Sequence, residues 1–142
     1  MTSDGMALAA IVILLFPIGY FFLASPAFLL VKLDIPPVTQ LLRGMFDIHF
    51  LMTGTTAIIG TVTFALTGRL VLAIGVALIA AFAVWARGWF LRKWDVYLGA
   101  RDAGDATAVR QLRQLHWIGM LCNAVLLGAV VASIPYVNIV TL

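Results

Sequence analysis

The chain has 142 residues, of which 63% are hydrophobic and 11% are charged, and its net charge is +3. A soluble domain carries about 25% charged residues, so this composition excludes an ordinary soluble fold. The small positive charge does not indicate nucleic-acid binding in so apolar a chain. A single cysteine, Cys122, excludes an internal disulfide bond. We therefore expect an all-α integral membrane protein that crosses the inner membrane of a cell several times.

Long apolar runs predict a bundle of four transmembrane helices, at about 6–31, 46–67, 70–91 and 115–137. A membrane-spanning helix needs about 20 residues. Pro17 and Pro26 lie in the first span, where each removes a backbone donor and predicts a kink. Gly68 and Arg69 alone separate the second and third spans, which predicts a tight antiparallel hairpin. Residues 92–109 form the one long polar connection.

The second span carries a narrow polar stripe, whose members recur every three or four residues. They are His49, Thr53, Thr56, Gly60, Thr63 and Thr67. At 100° per residue they fall within about 40° of one line on a helix. Because the rest of this helix is almost entirely apolar, we expect the stripe to face protein. There its hydroxyl groups would join helices by hydrogen bonds.

The third and fourth spans each carry a line of small residues, which lets helix backbones approach closely. In the third span the small side also includes Arg87, and large apolar residues occupy the other side. The small side is Ala73, Val76, Ala80 and Ala83, and the large side is Ile74, Leu78, Phe82, Trp85 and Trp89. In the fourth span, Ala124, Gly128 and Ala132 lie beside a stripe that includes His116 and Asn123. We expect the small side of the third span to face inward.

Basic residues are distributed unevenly between the two ends of the predicted bundle. Arg69 lies on the side of the two termini, and the other eight basic residues lie on the opposite side. Those eight are Lys32, Arg43, Arg87, Arg92, Lys93, Arg101, Arg110 and Arg113. Short loops rich in lysine and arginine stay in the cytoplasm, so both termini are expected on the non-cytoplasmic side. The four tryptophans, at positions 85, 89, 94 and 117, fall at the cytoplasmic end, where indole rings favour the membrane interface.

The entries to the second and fourth spans resemble each other. Residues 43–50 and 110–117 share an arginine at their first position, a histidine at the seventh and an aromatic ring at the eighth. A tandem duplication of a two-span unit would place His49 and His116 at one depth, facing across the bundle. Alternatively, arginine and aromatic residues recur at membrane entries for physical reasons alone.

His49 and His116 are the two histidines of the chain, and both lie on expected inner faces near the cytoplasmic end. Together with Arg87 they predict a cytoplasm-facing pocket that binds a cofactor, with Thr53 and Asn123 as its floor. Two imidazoles at one depth on opposed helices could bind haem b, and the same groups could bind a quinone. The structural alternative is that each histidine forms a hydrogen bond with a loop carbonyl or a neighbouring polar side chain.

Arg87 lies five residues before Arg92, and therefore about 7.5 Å deeper along the helix. An arginine on an inward face inside a membrane indicates function by default. It would then bind an acidic headgroup or a quinone carbonyl, or pair with Asp47 or Asp95. At this depth it could instead extend its guanidinium to the membrane surface.

The expected function is non-catalytic. Little of the chain lies outside the spans, so lateral packing in the lipid bilayer is its main available interaction. We expect an accessory or structural subunit that packs beside other membrane protein subunits or a second copy of itself. One alternative is a small membrane oxidoreductase or redox carrier that holds haem or quinone near His49 and His116. Another is a carrier of lipids or small solutes.

The charge asymmetry generates a prediction about topology. A reporter fused after Leu142 should be active only when that reporter works outside the cytoplasm, and a reporter inserted near Gly104 only when it works in the cytoplasm. Paired phosphatase and fluorescent-protein fusions measure both positions. The opposite pattern at the two positions would contradict the orientation.

Overall fold

The computed structural model describes residues 2–138, and these residues fold into four long helices joined by short connections. Helix α1 covers Ser3–Ala24, α2 Pro36–Leu66, α3 Leu70–Asp102 and α4 Ala108–Ser133. Short 3-10 helices follow α1 at Ser25–Leu29 and α4 at Ile134–Asn138. In this part of the chain, all four helices are long and apolar enough to cross a membrane. The all-α class and the presence of four long apolar helices are thereby confirmed.

Helix α3 is longer than predicted, because it continues through the charged residues that predict a polar connection. Trp94 is fully buried in this extension. Arg43 of α2 forms a two-point ion pair with Asp95, with N–O distances of 2.6 and 2.9 Å. These contacts hold the beginning of the extension against α2. The helix continues to Asp102, and the connection shrinks to residues 103–107. Gly104 turns the chain there with a φ of 90°.

The two prolines of the first span act differently from each other. Pro17 is accommodated inside α1, whereas Pro26 lies in the 3-10 helix that begins one residue after α1 ends. The predicted single kinked helix is therefore an α-helix followed by a tighter turn. This change of geometry gives Ser25 a fully buried position facing α4.

The helices pack in chain order, and α4 closes the bundle against α1. The inward face predicted for α3 is confirmed for its small residues. Ala73, Val76, Ala80 and Ala83 are buried, and Ile74, Leu78 and Trp85 are well exposed. Gly60 of α2 meets this face, since a Cβ added at Gly60 would lie 3.2 Å from Val76.

Phe46 of α2 contacts aromatic rings on all three other helices. It is fully buried, and its centroid lies 4.8 Å from that of Phe21 on α1 and 4.2 Å from that of Phe90 on α3. The edge-on imidazole of His116 on α4 is 5.8 Å away. A Cβ added at Gly119 of α4 would overlap the Phe46 ring, 2.7 Å from its Cζ. Glycine at this position therefore permits α4 to approach the ring.

Trp94 is fully buried inside the bundle, so its ring does not lie on the outer surface that an interfacial tryptophan would present to lipid. Its centroid lies 5.7 Å from Phe90 and 5.8 Å from Phe46, inside the same aromatic cluster. Trp85 and Trp117 are exposed. Apolar packing around Phe46 thus extends to the very end of the bundle that holds most of the basic residues.

Arg69 fastens the opposite end of the bundle, although its side chain is almost fully buried. It pairs with the carboxylate of Asp4 at the start of α1 and donates to the carbonyl of Val137 after α4. Further bonds reach the Ser3 hydroxyl at 3.0 Å and the Thr67 carbonyl at 3.2 Å. One guanidinium, with five donors in a fixed fork, therefore ties together the ends of α1, α2 and α4.

Arginines also hold the connection between α1 and α2. Arg101 of α3 donates to the carbonyl of Leu33 in this connection at 3.4 Å and to the hydroxyl of Thr39, in the first turn of α2, at 2.7 Å. Arg113 of α4 donates to the carbonyls of Phe28 at 2.7 Å and Val31 at 2.5 Å. Some basic residues at this end therefore join separate elements by hydrogen bonds, in addition to making this end positively charged.

The contact between Phe46 and Gly119 generates a stability prediction. Gly119→Ala should lower the free energy of unfolding by about 1–3 kcal/mol, because its methyl group overpacks the aromatic cluster. Gly128→Ala on the same helix is the matched control, since nothing lies within 4 Å of a Cβ added there. That control should be neutral or slightly stabilising, because alanine favours helix over glycine by roughly 0.5–1 kcal/mol. Reversible unfolding in detergent micelles measures both values, and equal effects would contradict the proposed contact.

Candidate functional site

His49 lies between α2 and α1, at the wall of a cavity. Its side chain is 6% exposed, and its ring stacks on Phe21 with centroids 4.2 Å apart. Its Nδ1 atom is buried and has no hydrogen-bond partner within residues 2–138. Leaving a buried polar atom without a partner costs about 1–3 kcal/mol. Among the described residues the same holds for one polar atom each of Thr53, Trp94, His116 and Asn123.

The cavity beside His49 has a volume of about 520 Å³ and lies between α1 and α2. Ligand pockets typically measure about 300–1,000 Å³ and are mostly apolar with a few polar groups. The polar side chains in its lining are Tyr20, Gln40 and His49, and its apolar lining includes Phe21, Phe28, Met45 and Met52. The stretch of α2 from Gln40 to Met52 corresponds to about 18 Å along the helix. The cavity is thus an elongated apolar cleft, and His49 lies near the end formed by Met52.

His116 faces the 3-10 helix that follows α1. It is fully buried, and its Nε2 lies 2.8 Å from the hydroxyl oxygen of Ser25. Which of the two donates depends on the imidazole tautomer. Sequence reasoning did not identify Ser25 as its partner. The available signal was a polar residue beside Pro26 within an otherwise apolar run.

Asn123 lies about two turns beyond His116 on the same face of α4 and joins α4 to α1. Its amide nitrogen donates to the carbonyl of Ile18 at 3.0 Å. Its Oδ1 is buried without a partner in the described part of the chain. Asn123, Ser25 and Trp117 line a second, smaller cavity of about 180 Å³ between α1 and α4.

Aromatic rings separate the two histidines. Phe21 lines both cavities, whereas His49 lines the first and His116 lines neither. Ring contacts run from His49 to Phe21, then to Phe46, and then to His116. The structure therefore does not bring the histidines into the common pocket that the sequence predicts. These residues do not fit a haem b held between two imidazoles, because the phenylalanine rings fill the path between them.

Arg87 is directed away from both histidines. Its Nε donates to the carboxylate of Asp47 at 2.6 Å, and the side chains of this pair are 43% and 33% exposed. Asp47 lies about 160° around α2 from His49, so pairing with Asp47 takes the guanidinium to another side of the helix. Arg87 lines neither cavity. Of the roles open to it from the sequence, the structure shows the ion pair with Asp47.

The threonine stripe does not form the predicted bonds between helices. The hydroxyls of Thr56, Thr63 and Thr67 donate to carbonyls one turn earlier in α2, at 2.8 to 2.9 Å. Thr53 is fully buried, and its hydroxyl has no partner within residues 2–138. Since Thr53 and Asn123 border no common cavity, they do not form one floor.

The histidines are also not arranged as two equivalent halves would require. His49 contacts α1, the helix that precedes its own. A matching His116 would contact α3, but it bonds to Ser25 after α1. The likeness between residues 43–50 and 110–117 therefore does not extend to the surroundings of the two rings.

Comparison with known proteins identifies no relative: no family model, curated protein or solved structure matches this chain. Of the two cavities described above, the one beside His49 is the larger and is the candidate site.

Proposed function

We propose that this is a multi-pass protein of the inner membrane that acts as a non-catalytic accessory or structural subunit. Both termini lie on the non-cytoplasmic side in this proposal. The protein packs beside other membrane protein subunits or beside a second copy of itself.

The surface of the bundle supports placement in a bilayer. Each helix exposes large apolar side chains, with Leu23, Ile58, Leu78 and Leu121 between 55% and 80% exposed. A soluble monomer rarely exposes a continuous apolar surface of this kind, whereas lipid chains solvate it well. The uneven charge of the two ends supports the orientation.

Helix α4 supplies the observation that carries the accessory function. In the most apolar stretch of 18 residues of α4, 17% is buried inside the bundle. The corresponding share is 39% for α1 and for α2, and 28% for α3. Ala124, Gly128 and Ala132 follow one another at single-turn intervals on this sparsely covered helix, and no atom of residues 2–138 lies within 4 Å of a Cβ added at Gly128. Small residues at this spacing allow the backbone of another helix to approach closely. The proposed partner is therefore a transmembrane helix.

A redox carrier is the second candidate function, and the cavity beside His49 is the observation that favours it. Quinone suits this cavity better than haem b does, because a quinone requires one hydrogen-bonding group and an apolar cleft. The carrier of lipids or small solutes has less support, since the threonine hydroxyls of its supposed interior are bonded within α2.

The accessory function predicts that Gly128→Leu weakens association, because leucine blocks the close approach of a partner helix. The expected loss is about 1–3 kcal/mol of association free energy, as for other overpacked contacts. Gly75→Leu on α3 is the matched control, since Gly75 is also exposed with nothing within 4 Å of an added Cβ. Light scattering after extraction in mild detergent, combined with cross-linking in the membrane, measures the assembly.

The larger assembly should disappear in Gly128→Leu and persist in Gly75→Leu. A monomeric wild-type protein, or an assembly that survives both changes, would contradict association through this side of α4.

A further inference from the structure

We infer that the cavity between α1 and α2 binds a lipid-soluble ligand of the quinone class, with its flat ring beside His49 and its apolar tail leaving sideways between the two helices. This inference deepens the second candidate function by naming the site and the ligand class. It does not depend on association through α4.

The polar end of the ligand is assigned by His49. This side chain is more than nine-tenths buried and lines the cavity. Its Nδ1 is enclosed by protein, so a ligand in the cavity would form its hydrogen bond with the other ring nitrogen, Nε2. An imidazole N–H can donate to a ring carbonyl, and an imidazole nitrogen can accept from a ring hydroxyl. Both the oxidised and the reduced form of a quinone could therefore form a hydrogen bond there.

The walls of the cavity favour a flat ring. Phe21 already stacks on the imidazole, and Phe28 and Tyr20 add two further aromatic side chains to the lining. Aromatic rings favour offset or edge contacts with another ring. Met45 and Met52 supply flexible, polarisable side chains that adapt to irregular shapes. A saturated alkyl chain would contact this apolar surface, but it would neither stack on the aromatic rings nor form a hydrogen bond with His49.

The cavity is open on the side that faces away from the bundle. Tyr20, Leu41 and Ile48 form part of its lining and are each about 60% exposed. These residues belong to the apolar outer surface of α1 and α2, so a ligand dissolved in lipid can enter without crossing water. Gly44 also lines the cavity, and nothing lies within 4 Å of a Cβ added there. The cleft therefore has free space directly above the backbone of α2.

The test is a titration of decylubiquinone into the purified full-length protein in lipid nanodiscs, with bound ligand measured by equilibrium dialysis. Gly44→Leu should fill the cleft and weaken binding at least roughly tenfold, while Gly75→Leu should bind as the wild type does. His49→Phe keeps a ring stacked on Phe21 but removes the hydrogen bond, so it should weaken binding roughly tenfold. His49→Gln retains a donor and an acceptor and should lose less.

Decanoic acid is the comparison probe, because it offers an apolar chain of the same length without the ring. Saturable quinone binding that is lost in Gly44→Leu and reduced in His49→Phe supports the site. Binding unaffected by Gly44→Leu, or no saturable binding, overturns it. Equal affinity for decanoic acid, with no effect of His49→Phe, would identify a cleft for lipid chains only and would also overturn it.

Two further measurements separate this result from the other proposals. The thermal unfolding of Gly44→Leu should match that of the wild type, because the added Cβ meets no described atom within 4 Å and Gly44 lines the cavity that the rest of the side chain would fill. Gly128→Leu should bind decylubiquinone normally. Loss of quinone binding with intact association through α4 would leave the accessory function standing alone.

Discussion

The packing of Phe46 is the constraint on which the rest of the structure depends. Its ring is fully buried and lies within 6 Å, centroid to centroid, of rings on α1, α3 and α4. α4 can reach it because position 119 has no side chain. The same ring, with Phe21, occupies the space between His49 and His116. The contact that closes the bundle therefore also divides its buried polar groups between two sides of α1.

Arginine side chains complete the structure at both ends of the bundle. Arg69 binds the start of α1 and the segment after α4, and Arg113 binds the connection that follows α1. Such bonds reduce the freedom of short connections, which have few apolar contacts of their own. His49 is different, because its side chain forms no such bond between elements within residues 2–138 and lines a cavity large enough for a ligand. The binding proposal rests on that difference.

The sequence was sufficient for the fold and insufficient for the site. Apolar length predicts the helices, and residue size predicts the inward face of α3, because both depend on local periodicity. The extension of α3 to Asp102 could not be predicted, because its charged residues are typical of a polar connection. The ion pair of Asp95 with Arg43 of α2 shows instead that this segment packs as a helix. The pocket predicted to be shared by the two histidines is not found, for a related reason. Periodicity places His49 and His116 on inner faces, but it carries no information about which rings from other helices lie between them.

The most direct test of this account is a double-mutant cycle on Phe46 and Gly119, measured as reversible unfolding free energy in detergent micelles. Phe46→Leu removes the ring that an alanine at position 119 would overlap. The account predicts that the two changes together cost less than the sum of the separate costs, by about 1 kcal/mol or more, within the range found for residues in contact. Additive effects would show that α4 does not pack on this ring, and would contradict the separation of the two histidines that follows from it.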